Sequence, residues 1–329
     1  MKIEISTGSR LHFGLLCGTA ETGWQFGGIG MMLRSPAWRI SLTSLGSGHD
    51  QIAAGPEASA RVSEFLHQIR MTRKFDAVRV AISEEVPFHT GLGGGTQLGL
   101  ALAAATELIT SGRINHDPYQ LAETAQRAER SAVGTVGFRD GGFLIDHGLA
   151  SGPNDVRRVD RISVPEEWRF VFVRPVKSQG LFGEQERSFF NRRVHMSELL
   201  ISQLSSQIEQ QLVPAVRHRQ FDEFATALEA YGDSVGSFYA AEQGDIFAHP
   251  AIRKLVQQLR KENIAGAAQS SWGPGICIPS CSAEHAQWIT SMIPPAIDGT
   301  PLAVTVCEPM NVGATLMTIS PESGSGVRA

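Results

Sequence analysis

Cysteine is scarce in this chain, and this scarcity excludes a fold held together by disulfides. The 329 residues contain four cysteines, at positions 17, 277, 281 and 307, and no two of them form a Cys-x-x-Cys pair. A disulfide framework in a chain this long needs more cysteines. Because such sparse cysteine is typical of a reducing compartment, we expect a cytoplasmic location.

Long apolar runs and an excess of positive charge are also missing. Lys2 is followed by an alternating strand pattern rather than by the apolar stretch of a secretory signal, and no run approaches membrane-spanning length. The net charge is −4. We therefore expect no membrane insertion and no broad binding to nucleic acid or to an anionic membrane surface. Any anion-binding site must be local.

Lysine is rare even among the basic residues. Only five of the 29 basic residues are lysines, and the others are arginines. The planar guanidinium group suits bidentate binding of phosphates and carboxylates. A high genomic GC content would produce the same bias, so the composition leaves both explanations open.

What the chain does contain is a glycine-rich turn, Pro-Phe-His-Thr-Gly-Leu-Gly-Gly-Gly-Thr-Gln-Leu at 87–98, followed by a helical pattern. Its four glycines allow backbone N–H groups to converge, and the helix N-terminus adds partial positive charge. The lysine of a Walker loop and the spacing of a dinucleotide-binding turn are both absent. A flexible linker is the alternative, but apolar residues at helical spacing follow directly. The turn predicts a phosphate-binding pocket.

Runs of strands and helices without a strict βαβ alternation predict an α+β fold. Apolar alternation predicts strands at 1–7, 37–45, 76–84, 143–145, 168–174, 274–280 and 302–309. Helical spacing and capping residues predict helices at 96–110, 117–130, 195–212, 214–231, 249–262 and 282–292. Interrupted periodicity near 150–167 predicts a domain junction, which gives domains 1–160 and 161–320 and a disordered tail at 321–329.

Three further segments carry more polar or glycine residues than packing requires. Near the N-terminus, Arg10 and His12 point the same way on an extended segment, and a Gly-Gly-Ile-Gly run follows at 27–30. These two side chains can hold a phosphate or a carboxylate, although a solvated arginine and a structural histidine remain the alternative. The other two segments are 129–142 and 266–275, and with the glycine loop they predict a two-sided pocket between the domains.

These motifs resemble those of the GHMP kinase superfamily. The loop at 87–97 resembles its phosphate-binding motif, and 266–275 resembles its glycine-rich C-terminal motif. More narrowly, Ser9-Arg-Leu-His, Arg130-Ser-Ala-Val-Gly-Thr and Gln269-Ser-Ser-Trp-Gly-Pro resemble the beta-ribofuranosylaminobenzene 5'-phosphate synthase family. The resemblance extends from residue 3 to about 310. It implies a two-domain fold, with an N-terminal domain like ribosomal protein S5 domain 2 and a ferredoxin-like C-terminal domain.

The resemblance also implies roles for particular residues. Arg10, His12 and Arg130 are catalytic candidates that hold the substrate carboxylate or 5'-phosphate, and Asp140 is a candidate to replace a kinase acid. The phosphate-binding residues would be His89, Gly91, Leu92, Gly93, Gly94, Gly95, Thr96 and Gln97. Substrate would also contact Gly27, Gly28, Ser131, Ser270, Ser271, Trp272 and Gly273. Thr96 and Glu129 are the candidate ligands of Mg²⁺, with a surface carboxylate as the alternative for Glu129.

Two departures from the kinase pattern weaken a kinase interpretation. Many GHMP kinases have an aspartate about seven residues before a pair of glycines, and counting back from Gly141 gives Gly134. The loop serine that often contacts magnesium corresponds to Gly95, although Thr96 can reach in its place. Glu184 and Glu186, after Lys-Ser-Gln-Gly at 177–180, occupy a loop that can fold over the site, with solvated surface charges as the alternative.

The reaction that the resemblance implies belongs to tetrahydromethanopterin biosynthesis. Phosphoribosyl pyrophosphate is joined to 4-aminobenzoate or 4-hydroxybenzoate, with release of pyrophosphate and carbon dioxide, and Mg²⁺ neutralises the leaving pyrophosphate. The alternatives are an ATP-dependent small-molecule kinase of the same fold and a non-catalytic module that binds a phosphorylated metabolite. The partners expected are small molecules, and a homodimer is plausible from the resemblance.

Overall fold

The computed structural model describes residues 1–19, 21–115, 117–127, 130–149, 157–180 and 183–319. In chain order the strands are β1 Lys2–Cys17, β2 Gln25–Ser44, β3 Gln51–Ala53, β4 Val78–Glu84, β5 Phe143–Asp146, β6 Val159–Ile162, β7 Arg169–Pro175, β8 Ala268–Gln269, β9 Ile276–Ser280, β10 Ala296–Ile297, β11 Thr300–Cys307 and β12 Thr315–Ile319. The helices are α1 Pro56–Thr72, α2 Gly94–Ser111, α3 Pro118–Thr124, α4 Val133–Asp140, α5 Gly183–Asn191, α6 Glu198–Gln207, α7 Val213–Arg217, α8 Phe221–Gln243, α9 Pro250–Lys261 and α10 Ala283–Ser291, with a π-helical turn at Ile208–Leu212 between α6 and α7.

Two sheets organise the described part of the chain. In the first, the strand order is β12-β1-β2-β4-β3, and β5 pairs with the first half of β2 and carries β6 at its other edge. In the second, the order is β10-β11-β7-β9-β8. The α+β architecture is confirmed. The last strand, β12, returns to the first sheet and pairs with β1, while the division at residue 160 stays a prediction.

The long hairpin β1–β2 lies at the centre of the first sheet, and the sequence does not predict its length. The sequence predicts strands only at 1–7 and 37–45, whereas the strands span 2–17 and 25–44. Most of both strands is buried, so the inner halves carry no alternation of apolar and polar residues to read. The hairpin therefore places Arg10 and His12 within a strand, in the middle of the molecule.

Several helices agree with the prediction and others needed correction. Helices α2 and α9 lie at 94–111 and 250–261, as the apolar spacing predicts. The helix predicted over 117–130 ends at residue 124. The glycine-punctuated segment after it contains a helix, α4, that the sequence did not predict. Its Gly137 packs so tightly that a Cβ there would lie 2.6 Å from the sulfur of Met32. The glycines obscure the helical pattern in the sequence, but they allow the helix to pack closely against β2.

The C-terminal half follows the predicted order with one shift. Strand β7 lies at 169–175, close to the predicted 168–174. The helix predicted at 214–231 is instead α8, at 221–243, because the preceding helical stretch continues through α7 to residue 217. No helix of the described residues is long and apolar enough to cross a membrane. The tail predicted to be disordered, 321–329, lies outside the described residues.

Candidate active site

A cavity of about 520 Å³ opens where the two sheets meet. Its walls come from β1, the glycine loop, α1, the turn before α4, α5, α8 and the segment 269–273. Among the described residues, two glutamates line it, Glu64 and Glu186, against five arginines: Arg10, Arg61, Arg127, Arg130 and Arg187. With arginine in such excess, the cavity is electropositive and suits a ligand with several negative charges.

The glycine loop forms one wall and ends at the start of α2. Gly93 caps this helix in the left-handed conformation, with φ 66°, and makes no side-chain capping hydrogen bond. The first turn of α2 contains no acidic side chain. The positive end of this 18-residue helix is therefore not compensated by its own residues. This is the anion-binding construction that the sequence predicts.

Arg10 lies directly beneath the loop. Its backbone N–H donates to the carbonyl oxygen of Leu92 at 2.9 Å, and a Cβ on Gly93 would lie 2.6 Å from its Cγ. Its Nε and Nη1 are buried and have no hydrogen-bond partner. Burial lowers the pKa of Arg10 to about 10, so the side chain is still charged at neutral pH. A buried guanidinium with unpaired donors is costly unless a ligand supplies acceptors.

His12 lies two residues further along the strand and is held from three sides. Its backbone N–H donates to Ser270 Oγ at 3.0 Å, its carbonyl oxygen accepts from the backbone N–H of Ser271 at 2.6 Å, and its Nε2 lies 2.9 Å from Ser131 Oγ. Burial and the nearby charges of Arg10 and Arg157 hold the pKa of His12 well below its usual range. His12 is therefore neutral and does not bind an anion as a cation.

Ser270 joins two segments of the chain by hydrogen bonds and does not line the cavity. Its hydroxyl is fully buried, donates to the carbonyl oxygen of Gly91 at 2.6 Å and accepts from the backbone N–H of His12. One side chain of the second half thus ties the glycine loop to β1. The predicted substrate contact at Ser270 is replaced by this positioning role, while Ser271, Trp272 and Gly273 do line the cavity.

An aromatic cluster closes the opposite wall. Trp272 packs edge-on against Phe189, Phe190 and Tyr239 with centroid distances of 4.9–5.9 Å. The guanidinium of Arg130 lies over the ring of Phe190 at 4.4 Å and its Nη1 is 3.1 Å from Glu186 Oε1. Glu186 thus pairs with Arg130 on the cavity wall. A flat apolar surface beside a cation suits an aromatic carboxylate.

Several predicted residues lie elsewhere. Asp140 ends α4 and forms a bidentate pair with its neighbour Arg139, at 2.6 and 2.7 Å, and does not line the cavity. Gln97 is fully buried and bridges Thr7 and the carbonyl oxygen of Gly134, so it holds the fold together. Leu92, Gly27 and Gly28 also do not line the cavity, since Leu92 is buried and the two glycines lie in β2. Glu129 lies outside the described residues.

The remaining predicted residues come together on the cavity wall. They are Arg10, His12, His89, Gly91, Gly93, Gly94, Gly95, Thr96, Arg130, Ser131, Ser271, Trp272 and Gly273. Sequence reasoning missed the three arginines on α1, α5 and the segment after α3, because isolated arginines carry no local pattern. It also missed Asp146, although a carboxylate that ends the apolar run Phe143–Ile145 is a signal that can be read.

The sequence predicts Mg²⁺, and among the described residues few side chains could bind it. None of them form a group of three or more histidine, cysteine or acidic side chains able to hold a metal ion. Mg²⁺ that is bound with a phosphorylated substrate usually needs only one or two protein carboxylates, because phosphate and water oxygens supply the rest. Thr96 and one carboxylate, Glu64, line the cavity, and Glu64 pairs with Arg61 at 2.9 Å.

Comparison with known proteins gives a consistent result. Residues 60–143 match the GHMP kinases N terminal domain. Two archaeal proteins named beta-ribofuranosylphenol 5'-phosphate synthase are each 26% identical to the chain, one from Methanothermobacter thermautotrophicus over 84% of this chain and 88% of that protein, and one from Methanocaldococcus jannaschii over 83% and 88%.

Solved structures share the fold at low sequence identity. A homoserine kinase from Cytophaga hutchinsonii superposes with a TM-score of 0.65 and 14% identity, covering 96% of this chain and 97% of that one. A mevalonate pyrophosphate decarboxylase from Streptococcus pyogenes gives 0.63 and 13%, covering 95% and 98%. At such identities the likeness shows the fold alone.

Proposed function

We propose, from the premise that this chain is a GHMP-fold relative of the beta-ribofuranosylphenol 5'-phosphate synthases, that it transfers phosphoribose to a para-substituted benzoate. In this reaction the ring carbon that bears the carboxylate attacks C1 of phosphoribosyl pyrophosphate. Pyrophosphate leaves, and loss of carbon dioxide then restores the aromatic ring. The product is a C-riboside 5'-phosphate.

The unpaired guanidinium of Arg10 beneath the glycine loop is the observation that carries the proposal. Its buried Nε and Nη1 need acceptors, and the uncompensated end of α2 lies beside them. A pyrophosphate leaving group supplies many acceptor oxygens and develops negative charge as it departs. Donors that are fixed before the reaction stabilise that charge without having to reorganise. We therefore assign the pyrophosphate to this wall of the cavity.

The residue opposite the loop supports phosphoribosyl transfer over phosphorylation. Gly134 takes the place of the carboxylate that the kinase pattern predicts, and a Cβ there would lie 3.6 Å from Arg10 Nε and 3.3 Å from Thr96 Cγ2. An aspartate at this point would pair with Arg10 and occupy its donors. Without it the wall stays cationic, and an attack by an electron-rich ring requires no carboxylate base at this position.

The aromatic cluster would hold the second substrate. Trp272 and Phe190 provide apolar ring surfaces, and Arg130 lies within the same wall. We assign the benzoate ring to these surfaces and its carboxylate to the donors of Arg130 other than Nη1, which binds Glu186. Holding the two substrates face to face accounts for most of the catalysis in this proposal. Mg²⁺, which Thr96 would help to hold together with the substrate, would add positive charge against the pyrophosphate.

The choice of benzoate is part of the proposal. The relatives are named for a ribosyl phenol, and a phenol results when 4-hydroxybenzoate loses its carboxyl group. We therefore propose 4-hydroxybenzoate as the acceptor, with 4-aminobenzoate as the competing substrate to test beside it. The scarcity of cysteine supports a cytoplasmic location, and a homodimer stays a prediction.

The proposal is tested with carboxyl-labelled 4-hydroxybenzoate. The purified protein with Mg²⁺ and phosphoribosyl pyrophosphate should release labelled carbon dioxide, and omission of phosphoribosyl pyrophosphate should abolish the release. An Arg10→Gln variant should release it far more slowly, and Arg34→Gln, which changes an exposed arginine in an ion pair with Glu308, serves as the control. ATP-dependent phosphorylation of a metabolite without release of carbon dioxide would favour a kinase and contradict the proposal.

A further inference from the structure

A buried carboxylate stands behind the cavity wall and has no part in the chemistry described so far. Asp146, at the end of β5, is 0% exposed. Arg157 binds both of its oxygens, with Nε 2.9 Å from Oδ1 and Nη2 2.7 Å from Oδ2. The backbone N–H groups of Ala132 and Gly148 also donate to it, at 2.7 and 3.1 Å. These donors hold the carboxylate firmly in place as a hydrogen-bond acceptor.

Ser131 connects this carboxylate to His12. Its Oγ lies 3.4 Å from Asp146 Oδ2 and 2.9 Å from His12 Nε2, and it accepts from the backbone N–H of Val133 at 3.2 Å. Ser131 Oγ donates to Asp146 Oδ2, so the single hydroxyl proton of Ser131 points to Asp146. Because the hydroxyl oxygen then acts as an acceptor toward His12, the proton of the neutral imidazole must lie on Nε2. If Ser131 instead donated its proton to His12, the lone pairs of its oxygen would face the carboxylate, and two acceptors would oppose each other.

This arrangement fixes what His12 can offer to a ligand. With Nε2 protonated, Nδ1 is an acceptor without a proton. Two charged groups lower the pKa of the imidazole: Arg10, on its own strand, and Arg157, behind Asp146. Both are cations, and both oppose a second proton on the ring. Phosphates and carboxylates are acceptors, so they do not complement Nδ1, whereas a hydroxyl group does.

We propose that Asp146 and Ser131 position His12 so that its Nδ1 accepts a hydrogen bond from a hydroxyl group of the substrate. The identity of the substrates rests on the function proposed above. Their hydroxyl donors are those of the ribose and the para hydroxyl of 4-hydroxybenzoate. His12 is the residue that touches substrate, and Asp146 and Ser131 are positioning residues that act through it.

The first test reads the tautomer and does not depend on turnover. Nitrogen-15 NMR of the unliganded protein should show His12 protonated at Nε2 and unprotonated at Nδ1, and Ser131→Ala should disturb this state. Asp160→Asn is the matched control, because Asp160 lies on the neighbouring strand β6, where it pairs with Arg158 and His147 at the surface. A wild-type protein with the proton on Nδ1 would overturn the proposal, whatever the enzyme's reaction.

The second test is a double-mutant cycle on kcat. Ser131→Ala and Asp146→Asn should each lower kcat about tenfold, the factor that corresponds to about 1.4 kcal/mol for one hydrogen bond. If Asp146 acts through Ser131, the double variant should lose little more than either single variant. Fully additive losses, or an unchanged kcat in Ser131→Ala, would mean that Asp146 only stabilises the fold. Ser131→Ala leaves the pairing of Asp146 with Arg157 in place, so it remains informative if Asp146→Asn fails to fold.

Binding measurements identify which hydroxyl is bound. Calorimetry with phosphoribosyl pyrophosphate and with 4-hydroxybenzoate, each alone, should show weaker binding of one of them to Ser131→Ala. Weaker binding of the first assigns a ribose hydroxyl, and weaker binding of the second assigns the para hydroxyl. If neither changes, the proposal is overturned. If the tautomer is confirmed but no carbon dioxide is released by the wild type, the proposed function fails while the positioning of His12 stands.

Discussion

Exchanging Gly93 for alanine tests whether the glycine loop and Arg10 act as one anion site. Gly93 has φ 66°, and a Cβ at this position would lie 2.6 Å from Arg10 Cγ and 2.9 Å from Nε. Such separations are too short for any real contact, and Cγ lies too close to the backbone to move aside easily. Arg10 must therefore adopt another rotamer and withdraw its guanidinium from beneath the loop.

The substitution should change both the stability of the protein and its kcat/KM. A non-glycine residue in the left-handed region costs roughly 1–2 kcal/mol of stability. Loss of a charge-assisted hydrogen bond from Arg10 to the pyrophosphate costs roughly 1.5–3 kcal/mol. Because each 1.36 kcal/mol corresponds to a factor of ten, we expect kcat/KM for phosphoribosyl pyrophosphate to fall about 10- to 150-fold.

Gly112→Ala is the matched control. Gly112 caps the other end of the same helix with φ 67°, and nothing lies within 4 Å of the Cβ it would gain. It carries the same backbone strain with no neighbour to displace. Denaturant unfolding and steady-state kinetics should show both variants destabilised, with only Gly93→Ala losing activity. Equal kcat/KM values in the two variants would refute the role assigned to Arg10.

Three further predictions concern the groups around this site. The free energy of unfolding should decrease as the pH falls below about 6.5, because the unfolded chain then binds a proton on His12 that the folded protein, in which the pKa of His12 is lowered, does not bind. In denaturation experiments over the same range, the free energy of unfolding of His12→Gln should depend less steeply on pH. An identical pH dependence in the two proteins would contradict this prediction. Ser270→Ala should lower the unfolding free energy by about 1–3 kcal/mol and also lower kcat/KM, because two backbone groups lose their partner, whereas Ser280→Ala, which removes a buried hydroxyl bonded to Ser282, should leave kinetics unchanged. Trp272→Leu should raise KM for 4-hydroxybenzoate roughly tenfold, because ring contacts contribute about 0.5–1.5 kcal/mol each, and a rise only in KM for phosphoribosyl pyrophosphate would place the ring elsewhere.

Local sequence patterns predict much of the fold. The helix α2 and the strand β7 were predicted because their apolar residues repeat at the spacing of a single element. The inner halves of β1 and β2 were not, because strands buried on both faces show no alternation. Helix α4 was hidden by glycines whose reason is tertiary, since Gly137 is needed only where Met32 packs against it.

The site divides in the same way. The glycine loop is contiguous, so its pocket was predicted from the sequence, and Arg10 and His12 were found beside it. Arg61 and Arg187 reach the same cavity from α1 and α5, far apart in the chain, and no local pattern marks them. Asp140 is next to the paired glycines in the sequence, but its neighbour Arg139 binds it outside the cavity.

The reaction itself is the central claim, and phosphorus-31 NMR tests it most directly. The protein, Mg²⁺, phosphoribosyl pyrophosphate and 4-hydroxybenzoate are followed in one sample. We predict that the diphosphate signals of the substrate disappear while inorganic pyrophosphate and one new ribose 5'-phosphate monoester appear in equal amounts. Unchanged phosphoribosyl pyrophosphate, or pyrophosphate accompanied only by ribose 5-phosphate from hydrolysis, would contradict the account.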